Sequence, residues 1–164
     1  MTAVATIDKF DRAILRSLQR NGRETYDVVG EQVGLSASAV LRRVKRLEDV
    51  GAITRYVALV KPQTVGLGLT VYLNVRLEKH TENRNNHNKR NPIDVFRTRV
   101  QVWPEVVECV SLTGDMDYLL RVVVTDITHY SRFIMDTLLK HPSVEDSKTS
   151  FVLDSVKATT ILSL

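Results

Sequence analysis

The residues of this chain with the most evident chemistry are cationic. Arg42-Arg43-x-Lys45-Arg46 places four positive side chains within five positions, and Arg55 follows nine residues later. Guanidinium and ammonium groups concentrated in this way suit a polyanion, and most of them would hold phosphates rather than read bases. A second group is the turn Gly114-Asp115-Met116-Asp117. Free N–H groups in a glycine turn can hold a carboxylate and Asp115 or Asp117 an ammonium, the two handles of an α-amino acid. The same residues also suit a plain hairpin turn. Other chemistries find no constellation. His80, His87, His129 and His141 are scattered without metal-ligand spacing, Cys109 has no basic partner, and no glycine-rich phosphate loop occurs. Asp115 and Asp117 alone offer too few ligands for a metal. These features argue against an enzyme and imply no cofactor or metal; the lone Cys109, in an apolar alternating stretch, reads as a buried, inert thiol.

The cationic run must be positioned by helices. Ile7, Phe10, Ile14 and Leu18 recur at steps of three and four with charged residues between them, which predicts an amphipathic helix ended by Asn21-Gly22. Thr25 can cap a second helix that packs Val28, Val29 and Val33 on the first, and Gly34 follows where a tight turn needs permissive dihedrals. Ser36 can cap a third. On that helix Val40, Val44 and Leu47 share one face while Ser38, Arg42, Lys45 and Arg46 share the other. Three short helices with the charge on the last predict a winged-type helix-turn-helix, in which the last helix enters the DNA major groove. Ser38 and Arg42, near the start of that helix, are the candidates for base edges; Lys45, Arg46 and Arg55 are assigned to the DNA backbone. Arg43 lies nearer the core and is also placed to form an internal ion pair. An alternating stretch from Ile53 to Val60 predicts a strand that carries Arg55 beside the helices.

The distribution of charge agrees. Residues 1–61 hold 11 Lys and Arg against 7 Asp and Glu, whereas residues 62–164 hold 12 of each, so the whole net charge of +4 lies in the first part. With 43% hydrophobic and 26% charged residues the composition is that of a globular protein. No apolar run approaches the roughly 20 residues that span a bilayer, and Met1 to Asp8 lacks the features of a signal peptide, so a cytoplasmic location is expected.

Pro62 to Gly68 reads as a linker, which divides the chain into a domain over 1–61 and another over 69–164. Leu69, Val71, Leu73, Val75 and Leu77 alternate strictly with polar residues and predict a strand. His80 to Pro92 is polar and predicts a loop, followed by a helix over Ile93–Val102 that buries Val95, Phe96 and Val100. Strands over 106–112 and 118–124 flank the glycine turn, and a helix over 128–139 with Tyr130, Phe133, Ile134, Thr137 and Leu138 on its apolar side ends before Pro142. A strand through Ser150, Phe151 and Val152 completes β-α-β-β-α-β, the ferredoxin-like arrangement of an α+β domain; Val156 to Leu162 offers a last strand. Such a sheet has helices on one face only, and association through the other is the natural way to cover it.

The runs "DKFDRAILRSLQRNGRET" and "VGLSASAVLRRVKRLEDVGAITRY", continued by "VECVSLTGDMDYLLRVVVTD" and "SFVLDSVKATTILSL", resemble the Lrp/AsnC, or feast/famine, family of transcriptional regulators over nearly the whole chain. The resemblance implies a DNA-binding regulator that answers to an amino-acid effector, with leucine or methionine the favoured class. It also implies dimers that assemble into octamers or similar particles, with the effector bound between dimers. Family positions involved in the effector response fall on Gly114, Asp117, Ile127, Ser150, Phe151 and Val152, with Asp115 and Met116 adjacent. Ser150 is small where some relatives carry an aromatic residue, which implies a roomier or differently tuned pocket. Asn83 to Asn91 is longer than the corresponding loop of typical members. The alternative is an architectural DNA-binding protein without an effector, in which the turn at Gly114 serves packing alone.

Overall fold

In the computed structural model, which describes residues 6–78 and 91–164, the chain forms two compact units. The first comprises residues 1–59 with 156–164, the second residues 60–155. The helices of the first unit are α1 (Lys9–Arg20), α2 (Tyr26–Val33) and α3 (Ala37–Asp49), each begun by a side-chain cap. Asp8 accepts from the amides of Phe10 and Asp11 while Asp11 accepts from the Asp8 amide, a reciprocal box that starts α1 two residues later than the apolar pattern suggested. Thr25 caps α2 and Ser36 caps α3, as expected. Ile14, Val29, Val40, Val44 and Leu47 meet in a fully buried core.

The turn between α2 and α3 depends on two glycines. Gly34 takes φ +72°, the left-handed conformation that ends α2. Gly30 is needed for a different reason: a Cβ there would lie 2.4 Å from the Leu35 carbonyl oxygen, a backbone atom that cannot turn aside as the end of a flexible side chain would. Gly30→Ala is therefore expected to cost about 1–3 kcal/mol or more through overpacking. Chemical denaturation followed by circular dichroism checks this, and a neutral substitution would show that the turn can shift without loss.

Two expected strands do not form. Residues 53–60 form no regular element and pair with no strand among the described residues, and Val57 and Leu59 remain 63% and 75% exposed. Residues 156–162 likewise form no strand among the described residues; the tail instead meets α1, where the Gln19 amide accepts from Leu162 N and donates to Leu162 O, at 2.6 and 3.2 Å. Alternation shows which side chains share a face, but a strand also needs a partner for its peptide groups.

The second unit begins with a 3-10 turn, Pro62–Val65. It continues through β1 (Leu69–Leu77), α4 (Pro92–Val100), β2 (Val106–Ser111), β3 (Tyr118–Val124), α5 (Ile127–Arg132) and β4 (Val144–Phe151). The four strands form an antiparallel sheet in the order β2-β3-β1-β4, the α+β ferredoxin-like arrangement. The helix expected over 128–139 is α only through Arg132; over Phe133–Leu138 its turns widen, with Leu139 N donating to Ile134 O five residues back. Val71, Leu73, Val75 and Leu77 of β1 and Tyr118, Leu120, Val122 and Val124 of β3 point to one face and are covered by Phe96, Val100, Trp103, Tyr130, Phe133 and Leu138. Cys109 packs at the edge of this core, and burial pushes its thiol pKa up, away from the reactive thiolate. The opposite face carries Thr70, Tyr72, Asn74 and Arg76 from β1 beside Leu119, Arg121 and Val123 from β3, so it is part apolar and part charged.

The loop expected over His80–Pro92, with its Asn83–Asn91 stretch and with His80 and His87, falls largely outside the described residues. Asn91 is described; its side chain accepts from Ile93 N and caps α4. Among the described residues no helix is long and apolar enough to cross a membrane, and no group of three or more His, Cys, Asp or Glu is placed to hold a metal ion.

Candidate functional site

The cap that starts α3 also organises its exposed face. The Ser36 hydroxyl accepts from Ala39 N at 3.3 Å and lies 3.1 Å from the hydroxyl of Ser38. From Ser38 the same face continues one turn on to Arg42 and then to Lys45, all exposed. Among the described residues neither Arg42 nor Lys45 forms an ion pair or side-chain hydrogen bond, and the same holds for exposed Arg55. Hydroxyls at the start of the helix and free cations along it make a surface able to dock on a nucleic-acid backbone and reach base edges.

The other two arginines of the run point elsewhere. Arg43 Nη1 donates to Asp8 Oδ2 at 2.7 Å and to Asp11 Oδ1 at 2.9 Å, with its guanidinium 5.4 Å from the centre of the Phe10 ring. Arg46 Nη2 donates to Asp11 Oδ2, and its Nη1 donates to the Thr6 carbonyl at 3.2 Å. The Asp11 side chain is 0% exposed; those of Arg43 and Arg46 are 28% and 45% exposed. The amide of Asp11 and then the guanidinium of Arg43 hold the Asp8 carboxyl down at about 2. Its hydrogen bond from Arg43 raises the arginine in turn. Sequence reading counted Arg43 among the DNA-binding residues, with an internal ion pair as its alternative, and missed the partners Asp8 and Asp11, although Asp8-x-x-Asp11 at a helix start is a legible capping signal. Near the end of α3, Tyr56 donates to Glu48 at 3.1 Å; burial, then this carboxylate, pushes the phenol up to about 12.

In the second unit the residues proposed to sense an effector divide into two groups. Gly114, Asp115, Met116 and Asp117 form the β2-β3 turn, where Gly114 takes φ +118° with open space around it. Asp117 is tied into the sheet: its amide donates to Val75 O at 2.9 Å, its carbonyl accepts from Leu112 N at 2.8 Å, and its Oδ2 accepts from Leu77 N at 2.7 Å. This last bond gives Leu77 N a partner just beyond Val75 and Tyr118, the last pair of β1 with β3. Beside the turn lies a cleft of about 490 Å³ whose apolar walls are Leu77, Ile93, Leu112 and Tyr118, with Glu78, Asn91, Arg97, Ser111 and Asp117 as its polar members.

Ile127, Ser150, Phe151 and Val152 lie at the opposite end. Phe151 pairs with Val71 near the start of β1, whereas Tyr118, next to Asp117, pairs with Val75. Five strand steps, about 17 Å, separate the groups. Ile127 opens α5, Phe151 packs edge-on against Tyr130 at 5.4 Å, and Val152 N donates to Thr70 O. One copy of the chain therefore does not bring all eight residues around one small ligand.

Comparison with known proteins matches the chain to two domain families. The AsnC-type helix-turn-helix domain matches residues 7–48 and the Lrp/AsnC ligand binding domain matches residues 70–162. The leucine-responsive regulatory protein of Escherichia coli is 36% identical over 151 residues, covering 92% of this chain and 87% of that protein. A Bkd operon transcriptional regulator of Pseudomonas aeruginosa is 37% identical over 153 residues, covering 93% and 95%. Among solved structures, a transcriptional regulator of Neisseria meningitidis in complex with L-methionine superposes with a TM-score of 0.88 at 43% identity, covering 96% of this chain and 97% of that one.

Proposed function

Because the chain belongs to the Lrp/AsnC family of transcriptional regulators, we propose that it is a sequence-specific DNA-binding regulator whose DNA binding or assembly responds to an amino acid of the leucine or methionine class. In this reading it acts in the cytoplasm and is not an enzyme, residues 1–61 bind double-stranded DNA, 62–68 link, and 69–164 hold the effector and build the oligomer. The observation that carries it is the unobstructed face of α3, with Ser36 and Ser38 at the start and Arg42 and Lys45 beyond. Ser38 and Arg42 reach base edges, while Lys45 and Arg55 hold phosphates.

The effector site is shared between copies of the chain. The turn at Gly114–Asp117 of one copy meets Ile127 and Ser150–Val152 of another, which supports a homodimer that assembles further, to an octamer or a similar particle. Methionine is the first candidate because the 43% identical Neisseria regulator binds it.

The test is a titration against a duplex selected from a random pool and against a scrambled duplex, at several salt concentrations. Arg42→Ala should cost about 1–3 kcal/mol on the selected duplex and far less on the scrambled one, whereas Lys45→Ala should weaken both and flatten the salt dependence by about one unit. An Arg42→Ala protein that keeps the full preference for the selected duplex would overturn the base-reading assignment.

A further inference from the structure

We propose that Asp11, supported by Asp8, is a specificity-determining positioning residue: it withholds Arg43 and Arg46 from the DNA backbone so that α3 does not become a general polyanion binder. This inference rests on the DNA-binding reading above. Four cations occupy residues 42–46, and every one that neutralises a phosphate adds affinity for any sequence. Among the described residues only two of them, Arg42 and Lys45, have no ion pair or side-chain hydrogen bond. The other two meet carboxylates arranged much as phosphate oxygens would be: Arg43 bridges Asp8 and Asp11, and Arg46 takes the second oxygen of Asp11 and the Thr6 carbonyl.

The arrangement resists competition from DNA for two reasons. The Asp11 carboxylate is fully buried, so arginines that left for phosphates would abandon a buried charge, which is strongly unfavourable. Moreover, the carboxylates are fixed without the arginines. Asp8 receives the amides of Phe10 and Asp11, and Asp11 receives the amide of Asp8, so both are anchored to the first turn of α1 by its own backbone. Arg46, with 45% of its side chain exposed, is the arginine with the shorter path to solvent and the more informative one to free.

The full-length protein and its Asp11→Asn, Arg46→Gln and Lys45→Ala variants would be titrated against selected and scrambled duplexes across a salt series. Asp11→Asn keeps the shape and removes the charge. Its salt dependence should steepen by roughly one unit per arginine released, with tighter scrambled-duplex binding and a smaller preference for the selected site. A role confined to folding would not increase affinity. Arg46→Gln should leave the slope where it is, because that guanidinium does not reach DNA, while Lys45→Ala lowers it. An unchanged slope and preference in Asp11→Asn, or an Arg46→Gln slope that falls as far as that of Lys45→Ala, overturns the proposal. Should Asp11→Asn fail to fold, the comparison of Arg46→Gln with Lys45→Ala decides alone. A wild-type protein without salt-dependent preference for any duplex sinks the DNA-binding reading itself, an outcome distinct from the others.

Discussion

Replacing Phe96 by alanine is expected to destabilise the second unit by about 3–5 kcal/mol. The ring is fully buried and touches three others: Trp103 at 5.8 Å, Tyr118 at 5.0 Å and His141 at 5.7 Å between centroids. It is also the main anchor of α4, whose other buried residue is Val100. At nine residues α4 is too short to persist without docking, so the cavity would be accompanied by loosening of the helix. Burial, and then Arg99, lower the His141 pKa, which favours the neutral imidazole. Trp103 is the single tryptophan of the chain and lies inside the cluster, so its fluorescence during urea denaturation reports this unit directly. Ile93→Ala, on the exposed side of α4, is the control and should cost little. A Phe96→Ala loss below about 1.5 kcal/mol would mean that the site collapses around the smaller side chain and that α4 is held by something else.

The elements that were legible in the sequence are those whose cause is local. Ser36 has the chemistry of a cap and stands where α3 begins, and the strict alternation of Leu69–Leu77 gave β1 with its bounds and its buried face. Residues 53–60 alternate as well, yet a ladder requires a neighbour that no local pattern reveals, and among the described residues they have none. The cationic face of α3 shows the same limit. A helical wheel places Arg46 beside Arg42 and Lys45, but a long side chain can turn aside to a carboxylate 35 residues away, as Arg46 does to Asp11. For the effector, candidate residues could be named from the resemblance, but only the order β2-β3-β1-β4 reveals that they fall at two ends of one sheet. Distance within the protomer thus becomes an argument about assembly.

That argument leads to the strongest test of the effector site, at Asp117. Its Oδ2 is occupied by Leu77 N, which leaves its second oxygen for a ligand ammonium. The two roles separate by substitution. Asp117→Ala removes the acceptor and should cost about 1–3 kcal/mol of stability by orphaning the Leu77 amide, whereas Asp117→Asn retains an acceptor and should fold as the wild type does. Both should lose the response to effector entirely. In a thermal-shift assay, wild-type protein with L-methionine or L-leucine at about 100 times its dissociation constant gains about 2.7 kcal/mol, and neither variant should shift. If Asp117→Asn shifts as much as wild type, the residue only pins the hairpin. Geometry across copies adds a second readout: Asp117→Asn and a bulky Ser150→Arg variant, each silent alone, should recover a partial response when their subunits are mixed. Mixed oligomers then contain sites that join an intact Gly114–Asp117 turn from one copy to an intact β4 end from another. A pocket confined to one protomer could not be restored this way, since every protomer would carry one of the two defects.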